Sequence, residues 1–353
     1  MTIRSDDLIH VIGGGACTSV GITLPSSAAA VRAGVASFGD HPFMVDSMGN
    51  PMVVARAPFL SDDVSGVDRQ IKLAAPAAEE ALIPLTSFTG RLRSFPVIIG
   101  VPGSRPGLRG TAAKELSRRL YERLRLRYTV SNVEAIACGN ASGLLALELA
   151  VQRIRNGDTE FCLIGGVDSY LEPETLEWLE ECDQLHSAGP LNNAWGFIPG
   201  EAAGFCLLAS GRVTVQLDPV RRATILNVAV GQEKNLIKSG EVCLGHGLTE
   251  TFKTVFQALS STDKIENIIC DMNGEPYRAE EYGFATIRTE TFFVNSSDFH
   301  APADCWGNVG AASGPLFLNL AVVGHQKGYL RGIRTLVWTS SESGERAAAV
   351  IGF

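Results

Sequence analysis

The chain has 353 residues, 45% of them hydrophobic, 19% charged and 7% aromatic, the composition of a compact soluble protein with ample material for a core. Thirty Lys and Arg against 38 Asp and Glu leave a net charge of −8, which argues against a nucleic-acid or anionic-membrane partner. The length allows two domains or one large two-lobed unit.

Taken in order, the chain opens on MTIRSDDLIHVIGGG, where acidic residues precede the apolar run and no signal-peptide h-region exists. In the first half, apolar runs predict strands at 8–14, 95–100, 133–138, 161–166 and 203–209. Helical patterns fall at 25–33, 67–85, 110–126 and 141–156. Residues 35–92 break the rhythm as an irregular insertion, and 185–202 is a second irregular stretch. VTVQLDP (213–219) marks a junction, giving an N-terminal lobe at 1–215 and a C-terminal lobe at 216–353. In the second half, strands are predicted at 224–231, 266–272, 291–296, 335–340 and 347–353, with helices at 248–260, 276–285 and 308–327. The strands are continuous apolar runs, as expected when both faces are covered. The repeated order of elements predicts α/β layers in two similar lobes sharing a core.

Charge and cysteine patterns are read structurally. RRLYERLRLRY (118–128) carries Leu116, Leu120, Leu124 and Tyr128 at helical spacing, so its arginines form the wet face of a packed helix. The eight Cys form no C-x-x-C pair and read as buried free thiols of a reducing cytoplasm, with no disulfide framework, metal site or cofactor. GNVGAASGPLFLNLAVVGH (307–325) is Gly-rich and reads as a buried core helix that does not span a bilayer. GGG at 13–15 is not a dinucleotide loop, because the third Gly of that fingerprint would be Thr18.

The segment of most chemical interest is IACGNASGLLALELAVQRIRNGD (136–158), a small-residue turn entering an apolar helix. In enzymes that transfer acyl groups from thioesters, a Cys stands at such a turn. There the helix N-terminus stabilises its thiolate and backbone N–H groups receive an oxyanion. Here the tip is Asn140, and an amide forms no acyl-enzyme in the ordinary way.

Together these segments resemble the thiolase-fold superfamily, and within it the β-ketoacyl synthases. The resemblance rests on VIGGGACTSVGITLPSSAAAVRAG (11–34), RNGDTEFCLIGGVDS (155–169) and WGFIPGEAAGFCLLAS (195–210), which follow the family's order and spacing. It implies a five-layered α/β fold with two pseudo-symmetric lobes and mixed sheets. It also implies a homodimer paired through the strand at 161–166, with an acyl carrier protein or acyl-CoA as possible partner. By the family's motifs, Asn140 stands at the position of the catalytic Cys. Asn273 of ICDMNGEP stands for the first His, Asn308 of CWGNVGAAS for the second, and Ala303 for the family's Lys. Two amides can polarise a thioester carbonyl, yet nucleophile and titratable base are both missing at these positions.

Other residues are weighed against that frame. Cys138 is a displaced nucleophile or, on the simpler reading, a small buried hydrophobe of the strand at 133–138. Cys17 in ACTS imitates a synthase motif, but no GD…GG strand follows it at the required distance. His300 is the better candidate for a replacement base or, on the simpler reading, a solvated loop His, and His246 flanks a helix. Asp298 and Asp304 are turn residues, and Glu201 matches a structural carboxylate of the family. The expected function is that of a catalytically degenerate ketoacyl synthase-like protein of fatty acid or polyketide biosynthesis. It would retain a pocket for an acyl group, a carrier arm or a partner. Two alternatives stand beside it: an active acyltransferase using Cys138 or a non-standard base, and a non-catalytic partner resembling a chain-length factor.

Overall fold

The structure is a computed structural model that describes residues 8–90, 92–214, 223–237 and 239–353. The first half runs β1 (Ile9–Thr18), α1 (Leu24–Arg32), β2 (Gly39–Val45), β3 (Pro51–Val54), α2 (Gly66–Ala81), β4 (Phe95–Val101) and α3 (Ala112–Leu124). It continues through β5 (Val130–Ala137), α4 (Ser142–Arg155), β6 (Phe161–Ser169), α5 (Pro173–Glu181), β7 (Glu201–Ser210) and α6 (Gly211–Thr214). The second half has β8 (Ala223–Gln232), α7 (His246–Val255), β9 (Asn267–Cys270), α8 (Pro276–Thr289), α9 (Ala303–Trp306), α10 (Ser313–Gln326), β10 (Arg334–Ser340) and β11 (Glu345–Gly352).

Local chemistry sets several of these boundaries. Thr23 and Ser26 form a reciprocal capping box at the start of α1, next to Pro25 in its first turn. On α3, Leu116, Leu120 and Leu124 are buried while Arg118 and Arg123 face water, as the helical spacing predicts. Residues 35–92, expected to be irregular around one helix, also contain the two-stranded hairpin of β2 and β3.

Nine strands form one mixed sheet in the order β5-β4-β6-β7-β1-β8-β11-β10-β9. β5, β4 and β6 are parallel, as are β10 and β9, and the other pairs are antiparallel. The two halves meet where β1 pairs with β8, His10 opposite Thr224 and Val11 opposite Ala223. Reading outward from that seam gives 1-7-6-4-5 on one side and 8-11-10-9 on the other, each with two antiparallel pairings followed by parallel pairing. The counterpart of β5 would lie at 291–296, where a strand is predicted. Instead a 3-10 turn (Glu290–Phe292) precedes single bridges from Phe293 to Ile265 and from His300 to Ile269. The cause is packing: Phe292 stacks on Phe256 and Phe293 packs edge-on against the same ring, so both point to one side. The turn at Asn295 then ends the extended run.

Side-chain alternation sorts the strands into layers. Ile98, Cys162, Ile164, Cys206 and Leu208 face a cluster built around α4 and α10, as do Val337, Ala347, Ala349 and Ile351 of the second half. Ile99, Leu163, Phe205 and Leu207 face α2 and α3 on the outside, whereas Leu336, Trp338, Ala348 and Val350 face α7 and α8. Outer helices, strands, central helices, strands and outer helices make the five-layered thiolase-like fold with two pseudo-symmetric lobes.

The central helices begin alike, Gly139-Asn140-Ala141-Ser142-Gly143 before α4 and Gly310-Ala311-Ala312-Ser313-Gly314 before α10. Each follows a 3-10 turn that opens on a glycine at positive φ, +76° at Gly139 and +49° at Gly310. The helices cross in close contact: a Cβ on Gly143 would sit 2.3 Å from Pro315 Cδ, and one on Gly314 would sit 2.8 Å from Leu144 Cγ. Two expectations are corrected here. The strand at 161–166 is interior, flanked by β4 and β7, so its hydrogen bonds are spent and it cannot pair across a dimer; in this half the edge strand is β5. Cys138 lies just past β5, half-buried and outside the strand's core alternation. Most of the junction predicted at 213–219 lies outside the described residues.

Candidate active site

The crossing of α4 and α10 brings their N-terminal turns together. Asn140, in the turn before α4, donates from Nδ2 to Asn308 Oδ1 at 3.2 Å and to Asp271 Oδ2 at 3.3 Å. Asn308 Oδ1 also accepts from the backbone N–H of Gly310 at 3.1 Å. All three side chains are buried, at 4% exposure for Asn140 and Asp271 and 6% for Asn308. The turns themselves are capped from opposite lobes. Ser341 Oγ accepts from Ala141 N at 2.8 Å, and Asp168 Oδ2 accepts from Ala311 N at 3.0 Å.

Asp271 stands at the end of β9, where the apolar run IIC gives way to a carboxylate. Its Oδ2 also accepts from Arg278 Nη1 at 3.0 Å and from Ser340 N at 2.8 Å, while Oδ1 is buried without a partner. Burial pushes the Asp271 carboxyl up, and the Arg278 guanidinium pulls against that shift. The titratable group expected to be missing is therefore present, as an Asp two residues before the predicted position.

Asn273 does not join the pair. It is half-buried, donates to Glu275 Oε2 at 2.9 Å and accepts from Glu275 N at 3.2 Å, the local Asx geometry of a turn. Its link to Asn140 is indirect, through Glu275, Arg278 and Asp271. β9 ends at Cys270, so the first residue beyond it reaches the helix N-termini and the third has turned away. The strand end at Cys270, adjoining a lone Asp, was the available sequence signal.

A cleft of about 370 Å³ reaches Asn140, lined also by Arg105, Cys138, Tyr170, Trp178 and Glu342. Arg105 donates from Nη2 to Asp168 Oδ1 and to Ser169 O, both at 2.6 Å, and its guanidinium lies 4.0 Å over the Tyr170 ring. Cys138 lines the same cleft, but its thiol is pushed up to about 12 by burial and by the Glu345 carboxylate. It is therefore almost wholly protonated at neutral pH and a poor nucleophile.

The remaining candidates lie elsewhere. His300 is exposed and uses its backbone to bridge β9, accepting from Cys270 N at 3.0 Å and donating to Ile268 O at 2.8 Å. His246 is the exposed first residue of α7, and Asp298 and Asp304 are exposed, Asp304 in the first turn of α9. Cys17 is buried in β1 with its thiol pushed up to about 12 by burial. Glu201 is fully buried and holds Arg69 through both oxygens, at 2.5 and 2.7 Å, together with Ala57 N and Ser169 Oγ. It fastens α2 and the segment after β3 onto β6 and β7, which is a structural task.

Residues 132–213, spanning most of β5 through β7, match the model of the beta-ketoacyl synthase N-terminal domain. The highly reducing polyketide synthase sor1 of Hypocrea jecorina (strain QM6a) is 27% identical over 195 residues, 48% of this chain and 7% of that protein. Polyketide synthase PksL of Bacillus subtilis (strain 168) is 38% identical over 72 residues, 19% of this chain and 2% of that protein. The chain thus spans only a small part of these curated relatives. Among solved structures, the ishigamide ketosynthase/chain length factor superposes with a TM-score of 0.69 at 18% identity, covering 98% of this chain and 99% of that one. A type II polyketide synthase ketosynthase solved with its acyl-carrier protein gives 0.76 at 16% identity, with 98% of both chains covered. At these identities the structures establish the fold. Residues 132–213, through the Asn140 turn, are thus similar in sequence to the β-ketoacyl synthase N-terminal domain, and the chain shares the five-layered thiolase-like fold of the ketosynthases.

Proposed function

We propose that this protein is catalytically degenerate: its cleft receives an acyl group or the arm that carries one, without taking the acyl group covalently. The observation that carries this reading is the state of Asn140. At the turn where a nucleophile would stand, a buried amide is tied to Asp271 and Asn308. An amide nitrogen whose lone pair is delocalised does not attack a thioester, and Asp271 has no hydroxyl or thiol to deprotonate. Polar groups held in place can instead orient a carbonyl or amide in the cleft. Cys138 does not supply the missing nucleophile, because its thiol is protonated at neutral pH.

The edge strand favours a second reading, a non-catalytic partner of an active synthase. β5 presents an unpaired edge to solvent, with Ser131, Ala135 and Ala137 exposed. Another chain of the same fold, a second copy or a different synthase, can continue the sheet there. Incubation with acyl-pantetheine thioesters, followed by native and denaturing mass spectrometry, tests the main reading. Non-covalent complexes that vanish on denaturation support it, and a stoichiometric acyl adduct overturns it. Light scattering with and without a Val133→Pro substitution on β5 tests the edge.

A further inference from the structure

A second cavity is larger than the cleft at Asn140. It has a volume of about 780 Å³ and lies where the C-terminal end of α10 meets α1, the middle of β1 and the segment at the end of α2. Because α10 has 14 residues, this cavity sits roughly 20 Å along the helix from the Asn140–Asn308 pair. It is independent of the reading of that pair.

Its walls are apolar: Leu24, Ala28, Ile83, Pro84 and Val323, with Gly13 and Gly14 adding no side chain. One carboxylate reaches it, Glu80, and that group is already committed. Its oxygens accept from Leu24 N at 2.9 and 3.0 Å and from Ala16 N at 3.0 Å. Arg32 and Lys327 are exposed, and among the described residues neither forms a salt bridge. Arg32 is held 4.5 Å over the ring of Tyr329, which also lines the cavity. In a chain of net charge −8, two cations at the mouth outnumber the cavity's one carboxylate, Glu80, whose oxygens already accept from Leu24 N and Ala16 N, and leave a local field that favours anions. The volume falls within the range of about 300–1,000 Å³ that small-molecule sites occupy.

We propose that this cavity is a second ligand site that takes a long-chain carboxylate, its alkyl chain against the wall of α1 and α10 and its carboxylate between Arg32 and Lys327. A neutral alcohol of the same chain would lose both ionic contacts, and a cationic amphiphile would meet repulsion.

Isothermal titration calorimetry on the full chain tests this with dodecanoate, dodecan-1-ol and dodecyltrimethylammonium, each below its micelle concentration. Dodecanoate is expected to bind one to one, and the double variant Arg32→Glu/Lys327→Glu to bind it at least roughly tenfold more weakly, the loss of two charge-assisted contacts. Ala29→Trp fills the mouth from an exposed position and should remove binding with an unchanged melting temperature. Gly103→Trp narrows the cleft at Asn140, where a Cβ meets nothing nearer than 3.7 Å, and should leave dodecanoate binding intact. Equal binding of the alcohol or the cation overturns the proposal. So does an absence of binding, an unchanged affinity in the double variant, or loss of binding in Gly103→Trp but not in Ala29→Trp.

Discussion

Asn140 donates a hydrogen bond to Asn308 across a sequence separation of 168 residues, joining the turns that start the two central helices. The pseudo-symmetry of the fold makes this contact: each helix starts at the same place in its own lobe, and the glycine crossing brings both starts together. A buried amide pair of this kind is a hydrogen-bonding device with no group that can be acylated.

The first consequence concerns covalent chemistry. With its thiol near 12, Cys138 at pH 8 is thiolate in only about one molecule in ten thousand. Purified protein incubated with an acyl thioester should show no mass increase, and peptide mapping should find Cys138 free. An adduct at Cys138 in stoichiometric yield would restore the acyltransferase alternative.

Replacing Asn140 by Cys is expected to yield the most readily alkylated thiol in the chain. The new sulfur would sit at the N-terminal turn of α4 beside the cleft. Iodoacetamide kinetics monitored by mass should show labelling at position 140 ahead of all eight native Cys. Condensation should remain absent, because Asn273 and Asn308 accept no proton and Asp271 is committed to Arg278 and Ser340 N. Labelling no faster than wild type would mean that the turn does not activate a thiol.

The buried amides and Asn273 should differ in stability measurements. Asn140→Leu or Asn308→Leu leaves buried partners unsatisfied and should cost about 1–3 kcal/mol by urea denaturation. Asn273→Leu should cost less, because Glu275 keeps its contacts with Arg278 and Gln184. Asp271→Ala is the severe case: it removes a carboxylate from buried Arg278, a change worth about 3–5 kcal/mol. A larger loss for Asn273→Leu than for Asn140→Leu would contradict this network.

Asp271 also makes a prediction about pH. Burial raises its folded pKa above the ordinary 3.8, so the folded state holds this proton more tightly than the unfolded state. Its contribution is fully present below 3.8 and declines as pH rises through the folded pKa. Wild type should therefore lose stability relative to Asp271→Asn between pH near 3.8 and neutrality. Denaturation of both proteins across that window checks the sign. The opposite trend would mean that the ionised pair with Arg278 outweighs burial.

Close approach at the helix crossing gives a test of the fold itself. At Gly143 a Cβ would lie 2.3 Å from Pro315 Cδ, so Gly143→Val must push α4 and α10 apart. A loss of about 1–3 kcal/mol or more is expected, with a change in near-ultraviolet circular dichroism. Full retention of stability would show that the two helices separate without penalty.

The sequence by itself determined the layers and the locations of most elements. Strands buried on both faces read as continuous apolar runs, and helices such as α3 announce themselves by Leu116, Leu120 and Leu124 at one face. It also located Asn140 and Asn308, because each stands near a glycine-marked turn before an apolar helix. What only the tertiary structure decided was which residue completes the pair. Where β9 ends relative to the helix starts is set by packing between lobes, and a shift of two residues separates Asp271, in contact with Asn140, from Asn273 in a local turn. The same holds for sheet edges. Phe161–Ser169 is apolar whether a strand is interior or peripheral, and only the pairing of β6 with both β4 and β7 shows its hydrogen bonds to be spent. Local pattern encodes burial and period; neighbours distant in sequence encode register, and register decides which side chains meet.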